Sequence, residues 1–333
     1  MPEVGFLLVL TIILALAFDY INGFHDTANA IATVVSTRVL TPRTAILLAA
    51  ALNFIGALFA THVAKTVASG IVVPSMATEV VVLGAVFAAI VWNLITWFYG
   101  IPSSSSHALI GGLVGAAMAH GGTSVVTWDG LLIKVVYPII GSPLVGFVIG
   151  FMLMLAIAKF FAHSHPNKAG RTFKTLQILS SSLMAFSHGQ NDAQKSMGII
   201  TLTLFTHGLI SKAEVPLWVM LSCAAAMAAG TAAGGWRIMH TVGQKISRLD
   251  PVHGFAAETS SAIVILTAGH FGMPISTTQT ITASIFGVAS SRRLSAVRWN
   301  VAKSVIVAWF VTLPASGLFG ALSYWLFSLI WST

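Results

Sequence analysis

The chain has 333 residues, of which 56% are hydrophobic and only 8% charged, with a formal net charge of +8 and a mean hydropathy of +0.89. Soluble globular proteins carry roughly 25% charged residues, so this composition excludes a soluble enzyme, a disordered protein and a nucleic-acid binder. The single cysteine, Cys223, excludes a disulfide framework and a cysteine metal cluster.

The apolar runs are far too long for barrel strands and predict an all-α polytopic membrane protein with about ten membrane segments. In chain order they cover 4–36, 43–62, 79–99, 101–119, 131–159, 175–205, 214–234, 256–271, 274–290 and 300–328. The first has no basic leader and no small-residue cleavage pattern, so it is expected to be a membrane segment rather than a signal peptide. The pairs 79–119 and 256–290 fit either two full spans or a re-entrant hairpin. The first and sixth runs are too long and too polar in the middle for plain helices, and breaks are expected inside them.

Lys and Arg fall mainly in alternate loops. Arg38, Arg43, Lys159, Lys168, Arg171, Lys174, Arg237, Lys245, Arg248, Arg292, Arg293, Arg298 and Lys303 would share one side of the membrane. Lys65, Lys134 and Lys212 fall on the other. The bias predicts a multi-pass protein with both termini outside and the central loop, 161–174, in the cytoplasm, and the expected location is the plasma (inner) membrane.

Self-comparison shows a duplication. Gly23-Phe24-His25-Asp26-Thr27-Ala28-Asn29-Ala30 returns as Gly189-Gln190-Asn191-Asp192-Ala193-Gln194-Lys195-Ser196. Gly100-Ile101-Pro102-Ser103-Ser104-Ser105-Ser106-His107 returns as Gly272-Met273-Pro274-Ile275-Ser276-Thr277-Thr278-Gln279. Both matches are offset by about half the chain and keep their order. Five segments per half is an odd number, so the second copy enters the membrane upside down. The expected domains are a first inverted repeat at 1–160, the loop at 161–174, and a second inverted repeat at 175–333. Inverted repeats with interrupted segments at matching positions point to a secondary transporter.

Asp26, Asp192, Lys195 and Glu258 are ionisable and placed inside the bilayer, with Asp19 a fifth nearer the outer face. A charge at the bilayer centre costs about 2.5–3.5 kcal/mol even on the lenient insertion scale, so such residues face a partner or a water-filled cavity. Asp26 and Asp192 are the one charged position that both repeats keep. Their carboxylates, beside Gly- and Asn-rich backbone, suit a small hard cation or a proton. Pairing of Asp192 with Lys195 on one helix face is the competing structural reading. The two Pro-x-Ser-Ser/Thr-Ser/Thr clusters suit an oxyanion. Hydroxyls of Ser104, Ser105, Ser106, Ser276, Thr277 and Thr278 stand beside free N–H groups at a positive helix end. His25, His107 and His188 lie in or beside these motifs as weaker candidates. No nucleotide-binding fingerprint is present.

These four blocks together resemble the inorganic phosphate transporter (PiT) family, and the first is most similar to the bacterial Pit-type low-affinity branch. The likeness spans nearly the whole chain. It implies cation-coupled symport of inorganic phosphate by alternating access, with H+ or Na+ as coupling ion and no other cofactor. Bacterial members are described as proton-coupled carriers of metal–phosphate complexes. The resemblance also implies a central site between the repeats and a homodimer in the lipid bilayer. Carried over by position, Asn29, Gln194 and Lys195 join the six hydroxyls at phosphate. Asn191 and Glu258 join Asp26 and Asp192 at the coupling cation, with Asp26 and Asp192 as metal ligands if that cation is sodium. His25 stands where the common signature has Asn, and Gln279 where the second tip often has His. The competing readings are symport of another tetrahedral oxyanion such as sulfate, a channel, and, remotely, a membrane hydrolase.

Overall fold

The computed structural model describes residues 2–331, with the side chains of residues 2–4, Trp236 and Gln244 excepted. Its described residues are mainly helical, and the sole β feature among them is an isolated bridge between Val72 and Val126. The first half runs α1 (Pro2–Ser36), α2 (Pro42–Ala57), α3 (His62–Ser69), α4 (Glu79–Tyr99), α5 (Ser105–Gly121), α6 (Trp128–Leu131) and α7 (Tyr137–Phe160). The second runs α8 (Pro166–Thr206), α9 (Leu217–Ala233), α10 (Trp236–His240), α11 (Pro251–His270), α12 (Thr277–Ser290) and α13 (Trp299–Ile330). Each half repeats the same order: a long helix, a bent pair, a hairpin with a short second arm, and a long final helix.

A helix or bent pair lies at each of the ten expected positions. Among the described residues, four stretches are long and apolar enough to cross a bilayer alone: Gly5–Ser36, Glu79–Tyr99, Trp128–Phe160 and Trp299–Ile330. The bent pairs, 67° between α2 and α3 and 62° between α9 and the helix at Arg237–Gly243, raise the number to six. The short helices α5 and α12 are buried almost throughout. Apolar side chains instead line the outer faces of α7 and α13, where Ile140, Leu144, Met152, Phe310, Leu318 and Trp325 are exposed. Polar inside and apolar outside is the arrangement that a lipid solvent favours.

The breaks expected near Asp26 and Asp192 are absent: α1 and α8 run unbroken through both motifs. The glycines there serve close approach instead. A β-carbon on Gly23 would strike the Met227 carbonyl of α9, and one on Gly189 would strike the Asn53 backbone of α2. From the other side, Gly230 meets the Tyr20 carbonyl and Gly56 the Phe186 carbonyl. The two crossings, α1 on α9 and α8 on α2, are thus built alike, as small-residue interfaces in membranes commonly are. The breaks fall one segment later, at the α2–α3 and α9–α10 bends.

The central loop is also shorter than expected. Pro166 occupies the first turn of α8 and the His165 ring nitrogen accepts from the Asn167 N–H at 3.3 Å, so residues 166–174 are helical. The hairpin turns are made by Gly100 and Gly272, with φ of +66° and +67°, a left-handed backbone that β-bearing residues resist. The halves interleave. α5 packs on α13 and α12 on α7, so each short arm lies against the final helix of the other half, while α1 and α8 meet in the middle.

Gly230→Val should overpack the α1–α9 crossing at a cost of about 1–3 kcal/mol, lowering the thermal midpoint of the detergent-solubilised protein. Gly141→Ala, where an added methyl meets nothing within 4 Å, should leave that midpoint in place.

Candidate functional site

The site is assembled from four elements: the middles of α1 and α8, and the two hairpin tips. Beyond Gly100 and Gly272 the chain is extended until Ser104 and Ser276, which cap α5 and α12. The Ser104 hydroxyl accepts from the His107 N–H and the Ser276 hydroxyl from the Gln279 N–H, each at 3.2 Å. The tips also touch each other. Ser106 donates to the Ile275 carbonyl at 3.0 Å, and Gln279 Nε2 donates to His107 Nδ1 at 3.3 Å. Two helix N-termini, one from each half, therefore converge on one buried point with their positive ends toward it.

Asp26 and Asp192 face that point from α1 and α8. One carboxylate oxygen of each and a ring nitrogen of His188 all lie within 4.8 Å of one another, a group able to hold a metal ion. Each carboxylate takes hydroxyl donors from the tips. Ser105 donates to Asp26 Oδ2 at 3.1 Å and Thr278 to Asp26 Oδ1 at 3.3 Å. Thr277 donates to Asp192 Oδ2 at 3.0 Å. His25 Nδ1 is 2.6 Å from Asp26 Oδ1, with its Nε2 3.0 Å from Thr96 Oγ1. Lys195 pairs with Asp192 and also reaches the Ile275 carbonyl at 3.4 Å. Asn29 donates to Thr278 at 2.8 Å and Thr277 at 3.3 Å. All of these side chains are buried.

The structure thus brings Asp26, Asn29, Ser105, Ser106, Asp192, Lys195, Thr277 and Thr278 together, with Ser104 and Ser276 as the caps that shape the tips. Asn191 lies beside them, its Nδ2 donating to the Met273 carbonyl at 3.4 Å. Gln194 is not among them. Its carboxamide oxygen accepts from the Val63 and Ala64 N–H groups at 2.8 and 3.3 Å, capping the start of α3 after the bend, and its nitrogen donates to the Gln190 carbonyl. Glu258 forms a separate cluster about 10 Å further along α1. Thr33 donates to Glu258 Oε1 at 2.5 Å, Gln177 Nε2 donates to the same atom at 3.1 Å, and Ser180 donates to Oε2.

His188 carries more of the site than its lone position in the sequence suggests. Its Nε2 is 3.2 Å from Asp192 Oδ2 and its Nδ1 is 3.1 Å from Asn53 Oδ1. The four-residue spacing to Asp192 is the signal that places both on one helix face. Thr33, Gln177 and Ser180 gave no such signal, since their common partner is remote in the chain.

Residues 22–320 match the phosphate transporter family. The chain belongs to that family. A probable low-affinity inorganic phosphate transporter of Rhizobium meliloti is 51% identical over 326 residues, covering 97% of each chain. One of Bacillus subtilis is 48% identical over 97% of this chain and 98% of its own. Among solved structures, one described as the sodium-dependent phosphate transporter superposes with a TM-score of 0.84 at 27% identity. It covers 97% of this chain and 99% of that one. This family member is accordingly a helical membrane transporter and not an enzyme. The comparisons give no support to sulfate as the cargo.

Gln194→Ala should leave two N–H groups unpaired in an apolar interior, at about 1–3 kcal/mol. Faster amide exchange at Val63 and Ala64 with phosphate binding retained is the expected result. Lost phosphate binding with unchanged exchange would place Gln194 at the phosphate.

Proposed function

We propose that this transporter is a cation-coupled symporter of inorganic phosphate that works by alternating access in the plasma (inner) membrane. The observation that carries the reading is the meeting of two buried carboxylates with two hydroxyl-bearing helix N-termini. The coupling cation, Na+ or H+, is assigned to Asp26 and Asp192, with Asn191 and Glu258 as further oxygen groups on its path. Phosphate is assigned to Asn29, Lys195, Ser104, Ser105, Ser106, Ser276, Thr277 and Thr278. The sodium-dependent neighbour supports a coupling cation.

The hydrogen-bond inventory supplies an order of events. A hydroxyl has one proton to donate, and those of Ser105, Thr277 and Thr278 are given to Asp26 and Asp192. A cation or proton on the carboxylates takes over that role and releases the three hydroxyls to turn toward phosphate oxygens. The same event removes negative charge. An anion about 5 Å from an uncompensated carboxylate is repelled by about 3 kcal/mol at an effective dielectric of 20. Cation first and phosphate second is therefore the favoured sequence, and phosphate in turn raises the affinity for the cation.

The repeated element order supports two inverted repeats around this centre, with both termini outside by the distribution of Lys and Arg. The working assembly is assigned as a homodimer.

Asp26→Asn should reduce radiolabelled phosphate uptake into proteoliposomes at least tenfold while leaving the folded protein intact. Uptake is driven by an imposed Na+ gradient or an imposed pH gradient, and the effective gradient names the coupling ion. Robust, gradient-driven uptake by that variant would overturn the cation assignment. Dependence of uptake on added Mg2+ distinguishes a metal–phosphate complex from free phosphate.

A further inference from the structure

Asp19, like Glu258, is a buried carboxylate outside the central site, but it lacks the donors that surround Glu258. Asp19 lies seven residues before Asp26 on α1, about 10 Å along the helix. Spacings of three and four residues put Asp19, Asn22 and Asp26 on one face. All three are buried, but their surroundings differ. Asp26 has its donors; neither oxygen of Asp19 has a hydrogen-bond partner, and neither does the oxygen or nitrogen of the Asn22 carboxamide. The Ser196 hydroxyl of α8 and the Cys223 thiol of α9 are the polar neighbours that act on the Asp19 carboxylate, although neither reaches hydrogen-bond geometry with it, and the Ser196 hydroxyl has no other partner. The charged groups that act on Asp19 are Asp192 and Lys195 of α8. From α4 there is none: its one charged residue, Glu79, is at the first turn and pairs with His207.

A buried carboxylate with only a hydroxyl and a thiol near it is strongly unfavourable in its charged form, and unpartnered buried oxygens on one helix face and on the helix opposite call for an occupant. The atoms available are two carboxylate oxygens, one amide oxygen and one hydroxyl oxygen. Hard cations prefer that donor set. We propose that Asp19, Asn22 and Ser196 form a second cation station, on the N-terminal side of the Asp26–Asp192 centre, that holds the coupling cation before it reaches the centre. The station takes Na+ through these oxygens or H+ on the Asp19 carboxylate. Its place in transport rests on the symport reading above; its occupancy does not.

Two measurements on the purified full chain in detergent read occupancy without transport. The first counts bound 22Na+ per chain. The second records the protonated-carboxyl infrared band between acid and neutral pH in the absence of sodium. Asp19→Asn should lose one bound Na+ if the station holds sodium, or one pH-dependent carboxyl band if it holds a proton. In proteoliposomes the half-saturating cation concentration should rise about tenfold or more, with phosphate half-saturation unchanged at saturating cation. An Asp19→Asn protein with the wild-type Na+ count and the wild-type carboxyl band overturns the station. Absence of phosphate uptake by the wild type under either gradient overturns the symport reading instead, and leaves the two detergent measurements decisive for the station. If Asp19→Asn does not fold, Ser196→Ala, which keeps the carboxylate and removes one oxygen, should still weaken Na+ occupancy or shift the band. Wild-type values in that variant overturn the proposal.

Discussion

Two carboxylates within 4.8 Å of each other, deep inside a bilayer protein, set the terms for everything around them. Like charges at that separation repel by about 3 kcal/mol at an effective dielectric of 20, and an ionised group out of water must find donors. Those donors come from both halves of the chain. Lys195 and His188 reach Asp192 along α8, His25 serves Asp26, both tips give a hydroxyl to Asp26, and the second tip gives one to Asp192. The hairpin turns at Gly100 and Gly272, the extended tips and the serine caps are the means of bringing small hydroxyl side chains to that point. The glycine crossings let α1 and α8 stand where they must.

Much of this was legible in the chain because polar residues stand out in apolar surroundings. The ten helical positions, the duplication and the two Asp motifs could be read directly, and so could the hydroxyl tips. The continuity of α1 and α8 could not. A glycine beside asparagine can mark either a break or a close approach, and only the backbone across from it (Met227 for Gly23, Asn53 for Gly189) decides between them. The real bend after α2 has no Pro or Gly at all between Ala57 and His62. It is capped by Gln194, 131 and 130 residues away from Val63 and Ala64 in the chain. One local signal was present and unused: Trp128 donates to the Thr123 carbonyl and Trp299 to the Leu294 carbonyl, the same turn in both halves.

The polar face of α1 is not uniform along its length. On the C-terminal side of the centre, Glu258 is saturated by Thr33, Gln177 and Ser180, and Thr37 extends the chain of contacts to Gln177. On the N-terminal side, Asp19 and Asn22 have no hydrogen-bond partners. A fully satisfied network rigidifies, whereas an unsatisfied one favours rearrangement or occupancy. The two ends of the same stripe are therefore poised differently, although the fold that carries them is repeated.

The interleaving of the halves has a consequence for assembly. The short arm of each hairpin is covered by the final helix of the other half, α5 by α13 and α12 by α7. A half alone would leave its own arm bare, and the first half would leave Asp26 without the Thr278 hydroxyl. A chain cut between Phe160 and Pro166 would yield two pieces, neither of which could close its centre before finding the other.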